Sequence, residues 1–238
     1  MRRTLIAAAL GACLAGPAAA NEYATFTQLH VTPLGAGSDA SCATMALLNL
    51  PATWQTGDAI VVMLIADPVH NPTRDPLIAA LLAEQAGVLE LSPSMPAACP
   101  DDRPETSRLA PPADPLDLVF GGLLAARREA GGGLVVAIGY GPGGGSVLAA
   151  ADETAASTRL GPGGPRFAAT LAIGDGRARL RLGTAQAAPE RSELRLGLLC
   201  EALARSGTTQ GTASGEACAV DLVASAPSVR ATPVALHR

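Results

Sequence analysis

Leu134-Val135-Val136-Ala137-Ile138-Gly139-Tyr140-Gly141-Pro142-Gly143-Gly144-Gly145 is the stretch on which the reading of this chain turns. An apolar run of strand length ends in a glycine-dense reversal, and residues 146–151 continue as a helix. A continuous apolar run bounded by turn residues is what a strand buried on both faces of a parallel sheet shows. The spacing Gly139-x-Gly141-x-Gly143 sets a residue with no side chain at the apex of a strand-to-helix turn. Glycine is the default where a backbone must enter the left-handed region or approach another backbone closely.

Working outward from this turn, strand and helix signals alternate. Residues 23–31 and 42–50 read as two early strands, joined by the turn-rich 33–39. Residues 60–65 form a second continuous apolar run. Asp75-Pro76 supplies an N-cap and a first-turn proline, Leu77, Ile78, Leu81 and Leu82 form a helical stripe, and Gly87 ends it. Residues 88–91 are a short strand, followed by a proline-rich loop over 92–112. Asp114-Pro115 repeats the helix start, and Leu116, Val119, Phe120, Leu123 and Leu124 fall on one face. Arg127 and Arg128 sit at its negative end, and Gly131 to Gly133 stop it. Residues 168–173 and 179–182 are later strands. Pro189, Glu190 and Glu193 open a helix containing Leu194, Leu198, Leu199, Ala202 and Leu203, and 219–224 is the last strand. The alternation predicts an α/β three-layer sandwich: a mostly parallel sheet of about eight strands with helices on both faces.

The first twenty residues read as a secretory signal. Arg2 and Arg3 are its basic start, residues 4–14 its apolar core, and Ala18-Ala19-Ala20 its small residues before a cut at Asn21. The apolar core is too short to span a bilayer, so no transmembrane span is expected. Leu10-Gly11-Ala12-Cys13 also has the form of a lipoprotein box, which makes lipid attachment at Cys13 the second reading of this leader. Residues 21–238 then form one domain, with a periplasmic or secreted location.

Losing Arg2 and Arg3 takes the formal charge from −4 to −6, which argues against nucleic acid or an anionic membrane as partner. The chain has no lysine, which excludes Schiff-base and Ser-Lys chemistry. Cys42, Cys99, Cys200 and Cys218 remain after processing and read as two disulfides, with three pairings open. No C-x-x-C or Cys/His cluster points to a metal.

From about Gly57 to Ala224 the chain resembles a small α/β-hydrolase of the dienelactone-hydrolase type. The pieces that carry the resemblance are 58–67 as the strand before the oxyanion loop, 135–144 as the nucleophile elbow, and 180–186 as the strand leading to the acid. The resemblance implies a Ser-His-Asp mechanism on a strand–turn–helix elbow. It places the nucleophile at Gly141, which has no hydroxyl. The next residue normally donates its N–H to the oxyanion, and here it is Pro142, which has none. Family members often read His-Gly in the oxyanion loop, where this chain has Ala66-Asp67. The acid falls on Gln186, and residues 225–229, where the base belongs, hold no histidine; His237 lies further along. The family's second strand runs antiparallel beside its fourth, which implies Cys42–Cys99 and leaves Cys200–Cys218.

Ser146 is the hydroxyl nearest the turn and the weak candidate nucleophile; its plain reading is a polar residue in the first turn of a helix. Asp67, His70 and Asn71 share the loop after the third strand, at the carboxyl edge where α/β ligands bind. Asp67-Pro68 and Asn71-Pro72 are also ordinary turn formers. The amides of Gly143 and Gly144 are the other ligand candidates. Gly139, Gly141 and Gly144 also satisfy the dinucleotide fingerprint G-x-G-x-x-G. That rival is weakened because the first acid after a following strand, Asp175, stands 36 residues past Gly139, against about 20. The expectation is a diverged, non-catalytic binding or structural protein with a small-molecule ligand and no cofactor. A hydrolase of small esters or lactones is the alternative, and a nucleotide binder the third reading. The sequence leaves the oligomeric state open.

Overall fold

The computed structural model describes residues 23–35, 42–66, 74–95, 97–99, 113–174, 177–183 and 221–222. Thirteen elements follow in order: β1 (Tyr23–Val31), β2 (Ala43–Pro51), β3 (Ala59–Leu64), α1 (Arg74–Ala83), β4 (Gly87–Leu91), β5 (Ala97–Ala98), α2 (Pro115–Arg128), β6 (Leu134–Tyr140), α3 (Gly143–Ala149), α4 (Glu153–Leu160), β7 (Ala169–Gly174), β8 (Arg177–Leu182) and β9 (Asp221–Leu222).

The two apolar runs become neighbouring strands at the sheet centre. β3 and β6 pair in parallel from Ala59↔Leu134 to Leu64↔Gly139, and every residue of β3 is buried. Because side chains alternate across a strand, each run feeds two cores. Val61, Met63, Val136 and Ile138 share one with Leu77, Ile78, Leu81 and Leu82 of α1. Ile60, Val62, Leu64, Val135 and Ala137 share the other with α2, α3 and Ala156 of α4. Each fully buried aliphatic side chain contributes about 1.5–3 kcal/mol, so four on one face suffice to dock a short helix such as α1.

The sheet order is β1-β2-β4-β3-β6-β7-β8-β9, with β5 also beside β2. Pairing is parallel through β4, β3, β6 and β7, and antiparallel between β1 and β2, β2 and β4, and β7 and β8. The sheet is therefore mixed, with parallel strands at its centre and antiparallel pairs on either side. One antiparallel step is β7–β8. Two residues separate Gly174 from Arg177, and a parallel return needs a crossover of a dozen or more. The pair is a hairpin, and Asp175-Gly176 between alternating strands is a strong sequence signal for one.

Local expectations fare unevenly. Asp114 caps α2, accepting from the Leu116 and Asp117 amides at 2.8 and 3.3 Å, with Pro115 at its first position. Helix α1 starts at Arg74, so Asp75 lies inside the first turn. It closes not at Gly87 but at Gln85, which takes φ +62°. Gly87 instead opens β4, where a Cβ would stand 2.7 Å from Leu50 Cδ2. α3 begins at Gly143, three residues before the expected helix, and α4 follows it from an Asp152 cap.

Cys42 and Cys99 form a disulfide. β2 meets β5 through Ala43↔Ala98 and Thr44↔Ala97, so the cysteines stand opposite each other one step beyond that ladder. Cys200 and Cys218, the leader with Cys13, and the helix expected from Pro189 lie outside the described residues. Among the described residues no helix is long and apolar enough to cross a membrane.

Candidate functional site

The site is the carboxyl edge of the parallel strands, where β6 turns into α3. Gly141 donates its amide to the Ile173 carbonyl at 2.9 Å, and its own carbonyl accepts from Gly144 at 3.0 Å. Its φ is +54°, in the left-handed region, and a Cβ built there meets nothing within 4 Å. A residue at this apex projects into open space, which is the property an elbow gives its nucleophile. The apex of the turn therefore has the backbone of an elbow and no side chain to use it.

The surrounding residues explain the rest of the glycine pattern. A Cβ on Gly139 would come within 2.8 Å of both the Gly143 carbonyl oxygen and Val147 Cγ2. Gly143 and Gly144 are buried, with built Cβ positions 3.0 Å from Leu64 Cδ2 and Ala172 Cβ. These two glycines face inward and seat α3 on β3 and β7. Pro142 precedes α3 with φ −58° and ψ −29°, and its ring leaves no amide at the position that would serve an oxyanion.

Ser146 is half-buried on α3. Among the described residues the one histidine is His30, exposed on β1. Four strand spacings separate β1 from β6, about 19 Å. No described imidazole can therefore reach Ser146. Ala66, exposed, is the last described residue of the loop after β3; Asp67, His70, Asn71 and Gln186 lie outside the described residues.

The direction of β8 sets the edge at which the chain leaves the sheet. Because β8 runs antiparallel to β7, the chain leaves it at Gly183 on the opposite edge of the sheet from the turn. There Gly183 donates to the Ala168 carbonyl at 2.9 Å. From the level of Ala168 to that of Ile173 is five residues of β7, about 17 Å along the strand. β9 is parallel to β8, so it points its carboxyl end to the same far edge.

Sequence reasoning missed a buried polar cluster on this carboxyl edge. Glu90, on β4, is 7% exposed and accepts from Asn49 Nδ2 at 2.7 Å and from Arg74 Nε at 2.6 Å. Arg74 also pairs with Asp75 at 2.5 Å. Beside it lies a recess of about 30 Å³, lined by Met45, Leu47, Ile65, Leu91, Ser92 and Met95. That is room for about two waters. The cluster pins the start of α1 to β4. Its one sequence signal is an acid inside an otherwise apolar strand. Among the described residues no group of three or more His, Cys, Asp or Glu is placed to hold a metal ion.

No protein-family model matches the chain, and no curated protein matches it. Among solved structures, the chain is similar to Est1E from Butyrivibrio proteoclasticus at 13% identity and TM-score 0.36, covering 52% of this chain and 45% of that one. It is similar to the esterase domain of a Rhodothermus marinus protein at 14% identity and TM-score 0.37, covering 53% and 46%. An aminopeptidase from a marine sediment Thaumarchaeota archaeon matches at 13% identity and TM-score 0.41, covering 66% and 27%. The chain spans less than half the length of each of these proteins. Its own strand order sets β2 antiparallel beside β4 and a glycine-rich turn after β6.

Proposed function

We propose that this chain is an exported, disulfide-bonded relative of the dienelactone-hydrolase type that keeps the elbow and has given up Ser-His-Asp catalysis, acting as a non-catalytic binding or structural protein. The observation that carries the reading is the β7–β8 hairpin. The resemblance puts the acid after β8 and the base after β9, and both must reach the elbow. Here β8 and β9 both deliver the chain to the far edge. The loss of a hydroxyl at Gly141 and of an amide at Pro142 fits the loss of the partners they would have needed. Export rests on the leader-like residues 1–20 and is consistent with the Cys42–Cys99 bridge. The carboxyl edge, with the Ala66 loop and the turn, is where a small-molecule ligand would enter.

The test is incubation of the purified chain with a fluorophosphonate probe and short-chain chromogenic esters. The expected result is no covalent adduct and no turnover above buffer, with Ser146→Ala indistinguishable from wild type. An adduct on Ser146 together with turnover lost in Ser146→Ala would overturn the reading in favour of a hydrolase of small esters or lactones.

A further inference from the structure

The two flanks of the sheet are built differently. On the β8 flank, Arg177, Arg179 and Arg181 alternate along the strand, and β9 pairs beyond it. Charged residues on a flank are a common protection against unwanted strand pairing. β1, at the other end, has none. Its nine residues, Tyr-Ala-Thr-Phe-Thr-Gln-Leu-His-Val, include no Asp, Glu, Lys, Arg or Pro. Its register with β2 is regular from Thr25↔Leu50 to Val31↔Thr44, with a single irregularity between Tyr23 and Thr25. Among the described residues nothing pairs with its outer edge. Phe26, Gln28 and His30 are exposed side by side, and Phe26, at 57%, is the exposed large hydrophobic residue of the described chain.

We infer that β1 is a pairing edge whose occupant is a second copy of this chain, joined antiparallel across a two-fold axis so that two sheets become one. An antiparallel strand pair is self-complementary under two-fold rotation, which is the commonest symmetry of soluble dimers. A chain of formal charge −4 repels its copies on most approaches, and the uncharged strand is where that repulsion is least. A register centred on Gln28 keeps Phe26 beside His30 of the partner subunit on the exposed face, a cross-strand pairing of two rings. A strand of this length is about 30 Å long, and pairing along it buries on the order of 1,000 Å² in total. That is the lower limit of a specific interface, so the dimer belongs among the weak, reversible ones.

Sedimentation of the purified chain between about 1 and 100 µM tests this. Wild type is expected to pass from monomer to dimer across that range. Phe26→Lys/Gln28→Lys alters two exposed side chains and is expected to weaken association at least tenfold while the melting temperature of the monomer stays unchanged. Hydrogen exchange supplies the second readout: outer-edge amides of β1 gain protection as concentration rises. A wild type that stays monomeric, or a dimer indifferent to the double variant, overturns the inference. Protection of those amides independent of concentration also overturns it, since another segment of the same chain then covers the edge.

Discussion

Replacing Arg74 with methionine keeps an apolar stem and removes the guanidinium that reaches Glu90 at 2.6 Å from Nε and 2.5 Å from Nη2. The carboxylate left behind is 7% exposed and, among the described residues, keeps the Asn49 amide, at 2.7 Å. Breaking a buried pair by removing one partner typically costs about 3–5 kcal/mol. The Arg74 side chain is 24% exposed, so water can take part of its place, and we put the loss at about 2–3 kcal/mol. For a chain of this size that lowers the melting temperature by about 5–10 °C. The loss measures an orphaned charge, not the worth of the pair. The triple variant Asn49→Leu, Arg74→Met, Glu90→Leu removes every polar member at once and is expected to return to within about 1 kcal/mol of wild type. Urea unfolding followed by circular dichroism, at matched m-values, reads both. A single variant within 0.5 kcal/mol of wild type, or a triple variant less stable than Arg74→Met, would refute the reasoning.

The remaining expectations concern the bridge and the turn. Closing a loop over the 57-residue separation of Cys42 and Cys99 is worth about 4 kcal/mol in the chain-entropy model, so Cys42→Ser/Cys99→Ser should unfold at markedly lower denaturant. Non-reducing peptide mapping should recover Cys42 joined to Cys99; a Cys42–Cys200 peptide would contradict the strand order. Gly139→Ala drives a Cβ to 2.8 Å from a carbonyl oxygen and a methyl, and should cost about 1–3 kcal/mol through overpacking. Gly141→Ala meets nothing and should cost only the left-handed strain, about 1–2 kcal/mol. The two denaturation midpoints separate a steric from a conformational need for glycine.

What the sequence made legible was what local pattern controls. The runs around Val61 and Val136 announced central strands because burial on both faces leaves no polar period. Asp114-Pro115 announced α2 because its cap chemistry is local. The Cys42–Cys99 bridge followed from the antiparallel second strand of the resembled fold, although β5, which brings Cys99 into register, was too short to see. The hairpin was legible and overlooked: Asp175-Gly176 is a turn signal in the sequence, and the alternation of Arg177, Arg179 and Arg181 with Ala178, Leu180 and Leu182 is a two-residue period. α4 was hard to find because only Ala156 among its residues is buried. The Glu90 cluster was not legible at all, since Asn49 is 41 positions away and Arg74 is 16. At the turn, sequence showed which atoms are missing. The direction of β8 supports the proposal that restoring one atom would not restore a mechanism.

That last point has a direct measurement. Gly141→Ser puts a hydroxyl on the apex, where φ +54° and open space would let it project as an elbow nucleophile does. Intact mass after fluorophosphonate treatment, with ester turnover in parallel, reads whether acid and base are in reach of it. A folded Gly141→Ser protein that takes no adduct and turns over no ester is the result predicted here. A labelled Ser at position 141 with measurable hydrolysis would show that a base reaches the turn after all, and would contradict the account.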